Sequence, residues 1–269
     1  MEPDDLGLTL AWLSSHQRLR ATMTIRIQIG DTDVQVTAVP LTQEAFEPFG
    51  DVVSNPRPDV HPSSFDVHAS TLPPNAFSAN QGFAVQYRSM SRIRNLYGQS
   101  PSGRSEPAMS VFCTAARQLT SPGAGRPHQF TVRFLERHPF TTQTFSPVDS
   151  SASSYLVIVA PSLPPSSADE GLPVPQGTGV PGRGLPDLGG LKAFLATKSQ
   201  AVTYGAGTWH APMVTLGPPG TTLNFVVSQF MSGVADEDCQ LVEFESSGVA
   251  EPRIKVLLPP PRTGRLEKL

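Results

Sequence analysis

Apolar and polar residues alternate with a period of two along most of this chain, and helical periodicity is confined to short stretches. In residues 25–39, IRIQIGDTDVQVTAV, Ile25, Ile27 and Ile29 alternate with Arg26 and Gln28. A Gly-Asp-Thr-Asp turn follows, then Val34, Val36 and Val39, so the pattern predicts a hairpin. Further strands are expected at 82–88, 109–113, 130–138, 154–160, 201–204, 221–230, 240–245 and 253–258. Two short helices are expected. One lies in LTQEAFEPFGD, with Thr42 as N-cap and Gly50 as stop. The other lies in PDLGGLKAFLATKSQ, where Asp187 caps and Leu188, Leu191, Phe194 and Leu195 share a face. Between them, residues 161–190 hold seven prolines and seven glycines, a density that predicts a long loop. Residues 1–23 read as an N-terminal extension with a short amphipathic helix in LTLAWLSSHQRL and an alternative start at Met23. Residues 24–258 read as the folded domain and 259–269 as a loose tail.

About ten strands without βαβ alternation make this a mainly β protein, an antiparallel sandwich or barrel with a few short helices. Composition agrees: only 16% of residues are charged, against 28 prolines and 22 glycines among 269 residues. Charge is nearly balanced, 20 basic against 23 acidic, with no basic stripe, which argues against a nucleic-acid partner. No apolar run reaches the roughly 20 residues a membrane helix needs. The two cysteines form no CxxC pair; Cys113, in MSVFC, reads as a buried small hydrophobe. A reducing, cytoplasmic setting is expected, and the terminal EKL only weakly resembles a peroxisomal address.

Candidate chemistry gathers in two places. In FTVRFLERH, Phe130, Val132 and Phe134 share one parity, and an unbroken strand would give Glu136 and His138 that same inward parity. Beyond Pro139, Gln143 joins them through the alternation of Thr141, Gln143 and Phe145. The plain alternative is a strand that frays at Arg137, with Glu136 paired to it in solvent. The second place is YGAGTWHAP, where Gly205 and Gly207 permit a tight turn and His210 emerges as a metal ligand or acid–base group. The alternative there is a histidine packed on Trp209. Lys192 lies off the apolar helical stripe, either as a carboxylate clamp or as a solvated lysine. Asn80 and Gln81, just before a strand, are further polar candidates, and Arg133 has outward parity.

Taken together, an inward Glu and His on one strand and a later His from a Gly-rich turn resemble the paired motifs of the cupin superfamily, here bicupin-like, with Glu136-Arg-His138 in place of His-x-His. A closer resemblance is carried by VPLTQEAFEPFGDVV, FLERHPFTTQTFSP, YLVIVAPS, LPDLGGLKAFLATKSQAVTYGAGTWHAPM and FVVSQFMSGVADEDCQ. These segments are similar to the ureidoglycolate lyase family, whose members act in allantoin and purine breakdown. The resemblance implies a cupin-type barrel, a homodimer, and cleavage of ureidoglycolate to glyoxylate and urea. It also implies a divalent metal, nickel in bacterial members, with Glu136, His138, Gln143 and His210 as its ligand set.

Cleaving a carbinolamide needs a base for the hydroxyl proton, an acid for the departing nitrogen and a positive group for the carboxylate. On this reading His210 or His138 transfers the proton, Glu136 orients or binds metal, and Gln143 and Lys192 hold substrate. Two other readings stand beside it: a metal-dependent cupin enzyme acting on another small hydroxy acid, and a non-catalytic module that binds a small carboxylate.

Overall fold

The computed structural model describes residues 24–121, 123, 126–246 and 251–259. The expected N-terminal helix, the alternative start and all but the first residue of the tail lie outside them.

Two β-sheets face each other. The larger runs Thr24–Gln28, Gln240–Glu245, Phe134–Arg137, Trp209–His210, Ser154–Ala160, Lys192–Thr197 and Val39–Pro40, with Val214–Leu216 also pairing to Ser154–Ala160. The smaller runs Gly50–Val53, Ala201–Tyr204, Gln143–Pro147, Thr222–Met231 and Glu106–Ala115. Both sheets are open at their ends, so the mainly β expectation of a sandwich or barrel is met by facing layers, jelly-roll-like, and not by a closed barrel.

One core fills the space between these layers. Tyr155, Val157, Val159 and Phe194 of the larger sheet meet Phe145, Val202, Tyr204 and Phe225 of the smaller. A second core covers the far face of the larger sheet, where Leu135, Leu156, Ile158, Trp209 and Val242 meet Phe130, Ile254 and Val256. The larger sheet is therefore the middle layer, covered on both faces. That explains why SYLVIVA is apolar without interruption, since neither parity faces water.

Three expectations are corrected. Residues 25–39 form no hairpin: Thr24–Gln28 runs parallel to Gln240–Glu245, whereas Val34–Thr37 runs parallel to Ile254–Leu257 in a separate three-stranded sheet. Lys192–Thr197 is a strand, not a helix. Asp187 caps only a single 3-10 turn at Leu188–Gly190, and the run AFLA is buried on both faces because it lies in the middle layer. A short apolar run of that kind fits either periodicity, and pairing decides it. Cys113 is exposed, on the terminal strand of the smaller sheet, and both cysteines are free.

The short helix Gln43–Phe46 forms as expected, with the Thr42 hydroxyl accepting from the Ala45 amide at 3.2 Å. Gly50 opens the next strand, and no larger residue fits because a β-carbon there would lie 1.9 Å from the Thr203 carbonyl oxygen. The Pro/Gly segment after Ala160 is largely exposed but anchored at points, with Leu185 buried in the outer core and Asp169 buried under a capping box from Ser166.

Candidate active site

The segment 130–138 is not one strand. Gln129–Thr131 belongs to the three-stranded sheet and Phe134–Arg137 to the middle layer, with a break between them. The break resets parity: Phe130, Val132 and Leu135 pack in the outer core, and Glu136 and His138 take the other side. Both residues do point into the fold, but not by the continuous alternation the sequence suggested.

Trp209–His210 inserts between Phe134–Arg137 and Ser154–Ala160, with His210 directly opposite Glu136 on one side and Val159 on the other. Directly paired residues share a face, so Glu136 and His210 stand beside Val159 in the space between the two sheets. The turn before His210 is fastened to the chain beside the neighbouring strands Phe134–Arg137 and Gly50–Val53. The Gly207 amide donates to the His138 carbonyl at 2.9 Å, and the Gly205 amide donates to the Phe49 carbonyl at 2.8 Å. Gly207 adopts φ +81°, a backbone angle that favours glycine.

The result is a three-residue cluster. Donor atoms of Glu136, His138 and His210 all lie within 4.8 Å of one another. His210 Nε2 is 3.7 Å from Glu136 Oε1, and the two imidazole rings are 5.5 Å apart. His138 Nδ1 donates to the Asp238 carbonyl at 2.6 Å and His210 Nδ1 to the Thr208 carbonyl at 2.9 Å. Each bond fixes the tautomer that leaves Nε2 as a lone pair, and both Nε2 atoms are buried without a protein partner. The two histidines are 8% and 1% exposed, while the Glu136 side chain keeps 23%, so the carboxylate marks the mouth of the site.

Burial sets the charges. It pushes the Glu136 carboxyl above its usual range, against the pull of His138. It lowers His210 to about 3, with the nearby His138 adding to the effect, so His210 is a neutral imidazole at physiological pH. Burial also pushes up the Cys239 thiol, which lies 3.9 Å from Glu136 Oε2.

Two unpartnered imidazole nitrogens and a carboxylate oxygen at these separations fit a divalent first-row cation. Gln143 is buried, its Nε2 donating to Gln229 Oε1 at 2.7 Å and its Oε1 left without a partner. It therefore offers an acceptor oxygen, suited to a metal or an N–H group and not to a carbonyl. Lys192 is exposed, in the row of Val159 and His210, with Nζ 5.8 Å from the centre of the Phe49 ring. Asn80 and Gln81 fall outside the cluster, at the exposed tip of the hairpin formed by Ala76–Ala79 and Ala84–Tyr87. Arg133 is at the surface, as its parity implied, 3.8 Å from Glu243.

A cleft of about 1510 Å³ lies beside the 205–208 turn, lined by Asp51, Ser91, Arg92, Arg94 and Thr203 among others, but by none of the three clustered residues. The chemistry is assigned to the cluster because the unpartnered buried donors converge there.

Two supporting residues escaped sequence reasoning. Arg137 does not fray into solvent. It is fully buried, stacks 4.4 Å from the Trp209 ring centre, and donates to Gln240 Oε1 and to the carbonyls of Gly182, Arg183 and Gly184. It thereby straps the Pro/Gly segment onto the outer face of the site strands. Asp238 is the other. Its carboxylate accepts from the Tyr97 hydroxyl at 2.6 Å, the Ser232 amide at 2.7 Å and the Gly233 amide at 2.8 Å, which fixes the carbonyl that orients His138. Its only sequence trace is the acidic ADED stretch that closes the last quoted family segment.

This chain is similar to known proteins. A family model described as ureidoglycolate lyase matches residues 33–251. A ureidoglycolate lyase of Schizosaccharomyces pombe is 35% identical over 214 residues, covering 79% of this chain and 93% of that protein. Its counterpart in Saccharomyces cerevisiae is 32% identical over 190 residues, covering 68% and 80%. A bacterial ureidoglycolate lyase, from Stutzerimonas stutzeri, is 29% identical over 181 residues, covering 67% and 76%. With a family match across most of its length and a buried Glu-His-His cluster at its centre, this chain belongs to the ureidoglycolate lyase family.

Proposed function

We propose that this protein cleaves ureidoglycolate to glyoxylate and urea, a carbon–nitrogen lyase step in allantoin and purine breakdown. The observation that carries the reading is the convergence of Glu136, His138 and His210, in a chain of this family, with two buried imidazole nitrogens aimed at one carboxylate.

Ureidoglycolate carries a hydroxyl, a carboxylate and a urea nitrogen on one carbon. The hydroxyl proton must leave as the carbon–oxygen double bond forms, and a proton must reach nitrogen as the carbon–nitrogen bond breaks. Net transfer is one proton from oxygen to nitrogen, with no water consumed. The electrostatics support a division of roles opposite to the sequence expectation. His210, depressed to about 3, is a poor proton carrier but a good lone-pair donor. Glu136, its carboxyl pushed above the usual range by burial and standing at the mouth of the site, is the better placed to take and return a proton. Its Oε1 faces His210, and Oε2, beside Cys239, remains for the proton.

His138, His210 and Glu136 Oε1 would hold a divalent cation, and Gln143 Oε1 would accept from a substrate N–H. When bound, such a cation would supply positive charge for the substrate carboxylate and the developing alkoxide. Lys192, extending from the same row as His210, would reinforce the carboxylate side.

Assembly as a homodimer in the cytoplasm completes the proposal. It is supported by Met109 (75% exposed) and Val111 (70%) on the terminal strand Glu106–Ala115 of the smaller sheet, apolar surface that a second copy would cover. Among the described residues no helix is long and apolar enough to cross a membrane. Sedimentation velocity should return a dimer mass.

The direct test incubates chelator-treated protein with racemic ureidoglycolate, with and without divalent metals, and follows glyoxylate and urea above spontaneous decay. Release of both at equal rates is expected, and Glu136→Gln should slow it about 10²–10⁴-fold. Turnover no faster than spontaneous decay under every metal condition would end the lyase reading. Oxygen consumption would favour a different hydroxy-acid enzyme.

A further inference from the structure

Among the described residues, four buried polar atoms near the cluster have no protein partner: His138 Nε2, His210 Nε2, Gln143 Oε1 and the Tyr204 hydroxyl. The first three already have roles above. Tyr204 has none, yet leaving a buried hydroxyl unpaired is costly, so its presence calls for a ligand.

Its position is fixed from every side. Tyr204 is 1% exposed and its ring stacks on His210, centres 3.9 Å apart and planes within 12°. Phe46 and Phe145 pack edge-on at 6.2 and 6.1 Å, which leaves the ring little freedom to tilt. Ala201–Tyr204 pairs with Gln143–Pro147 so that Tyr204 lies directly opposite Gln143, placing the two side chains on the same face roughly 5 Å apart at their β-carbons. A phenol carries its proton at neutral pH in its ordinary state, so the hydroxyl is a donor and not a base. A fixed donor and a fixed acceptor thus stand side by side next to the catalytic imidazole.

We propose that Tyr204 is a further substrate-contacting residue, its hydroxyl donating to the ureido carbonyl oxygen while Gln143 Oε1 accepts from a ureido N–H. This rests on the lyase reading and names its urea-recognition subsite. As the carbon–nitrogen bond breaks, its electron pair goes to the urea nitrogen and spreads onto the urea oxygen, where the Tyr204 hydrogen bond strengthens. The nitrogen takes its proton from Glu136, Tyr204 keeps its own, and glyoxylate departs with the new carbonyl.

The test compares wild type with Tyr204→Phe for kcat, KM, thermal midpoint, and inhibition by added urea and by oxalate, a mimic of the carboxylate half. Tyr204→Phe should lower kcat about 10²-fold, with a much smaller change in KM. Urea inhibition should weaken about tenfold, the value of one hydrogen bond of about 1.4 kcal/mol, while oxalate inhibition holds. The midpoint should stay level or rise, because an unpaired hydroxyl has been removed. Wild-type kcat and urea inhibition in the variant would overturn the assignment. So would a parallel fall of kcat, midpoint and oxalate inhibition, which would make Tyr204 a packing residue. Wild type without turnover would remove the lyase reading itself, whereas active wild type beside an unchanged variant removes only the role of Tyr204.

Discussion

His138 and His210 end in the same chemical state by opposite routes. Each gives Nδ1–H to a main-chain carbonyl and turns a bare Nε2 toward Glu136. For His210 the carbonyl belongs to Thr208, two residues back, so the glycine turn that presents the histidine also orients it. For His138 it belongs to Asp238, a hundred residues away, held by the grip of Tyr97, Ser232 and Gly233 on the Asp238 side chain and by the Cys239 amide donating to the Ala235 carbonyl. One imidazole is aimed by local geometry and the other by tertiary structure. The first should tolerate change anywhere except in its own turn, while the second should be vulnerable at a distance.

Removing either ring is the harshest way to break the comparison. His138→Ala and His210→Ala should each lower glyoxylate release about 10²–10⁴-fold, read as kcat/KM on folded protein. If the two rings act as one unit, the double variant should be hardly slower than the worse single one. Additive losses would mean that they act independently and that the symmetry of their hydrogen bonding is incidental.

The asymmetry also explains what was legible in the sequence. YGAGTWHAP advertises a tight turn delivering a histidine, and that is what it does. Glu136 and His138 do point inward, as expected, but not through an unbroken strand, because the break after Thr131 reverses which residues face which core. Strand positions at 154–160, 201–204 and 240–245 matched to the residue, since these runs are short, β-branched and bounded by turn residues. Lys192–Thr197 failed because a strand buried on both faces has no period to read. Arg137 and Asp238 were invisible for a shared reason: their partners are backbone groups, which every sequence supplies and none announces.

Arg137 tests the outer side of the same strands. Arg137→Met keeps much of the packing on Trp209 but leaves Gln240 Oε1 and three loop carbonyls without their donor. A loss of about 2–4 kcal/mol is expected in urea unfolding, with proteolysis of the Pro/Gly segment rising in step. An unchanged midpoint would show that the strap is ornamental.

Asp238 sharpens the comparison directly. Asp238→Ala frees the carbonyl that aims His138, and divalent-metal affinity should fall about 10–100-fold in a chelator competition. Tyr97→Phe, which removes one of the grips, should do less. Substituting Thr208 by serine should do nothing, because His210 uses a main-chain oxygen. Equal sensitivity of the two braces would refute the local-against-tertiary distinction.

The smallest effect is a slope. In the folded, metal-free protein His210 titrates at about 3, whereas in the unfolded chain it titrates near its usual 6.5. Between those values the unfolded state binds the extra proton, so this contribution to stability is complete above pH 6.5 and is lost as pH falls toward 3, by up to about 1.4 kcal/mol per pH unit. Glu136 acts in the opposite sense: its raised folded-state pKa favours the folded form below its unfolded value, and that contribution is lost as pH rises through the folded one. The whole-protein acid profile therefore mixes two signs, and only a difference isolates the imidazole. Urea midpoints of wild type and His210→Gln, each measured from pH 7 down to 4, should diverge steadily in absolute slope, with wild type losing more stability on acidification. Parallel profiles would mean that His210 opens to water and protonates without unfolding, and a ring aimed by its own turn would then be free to leave it.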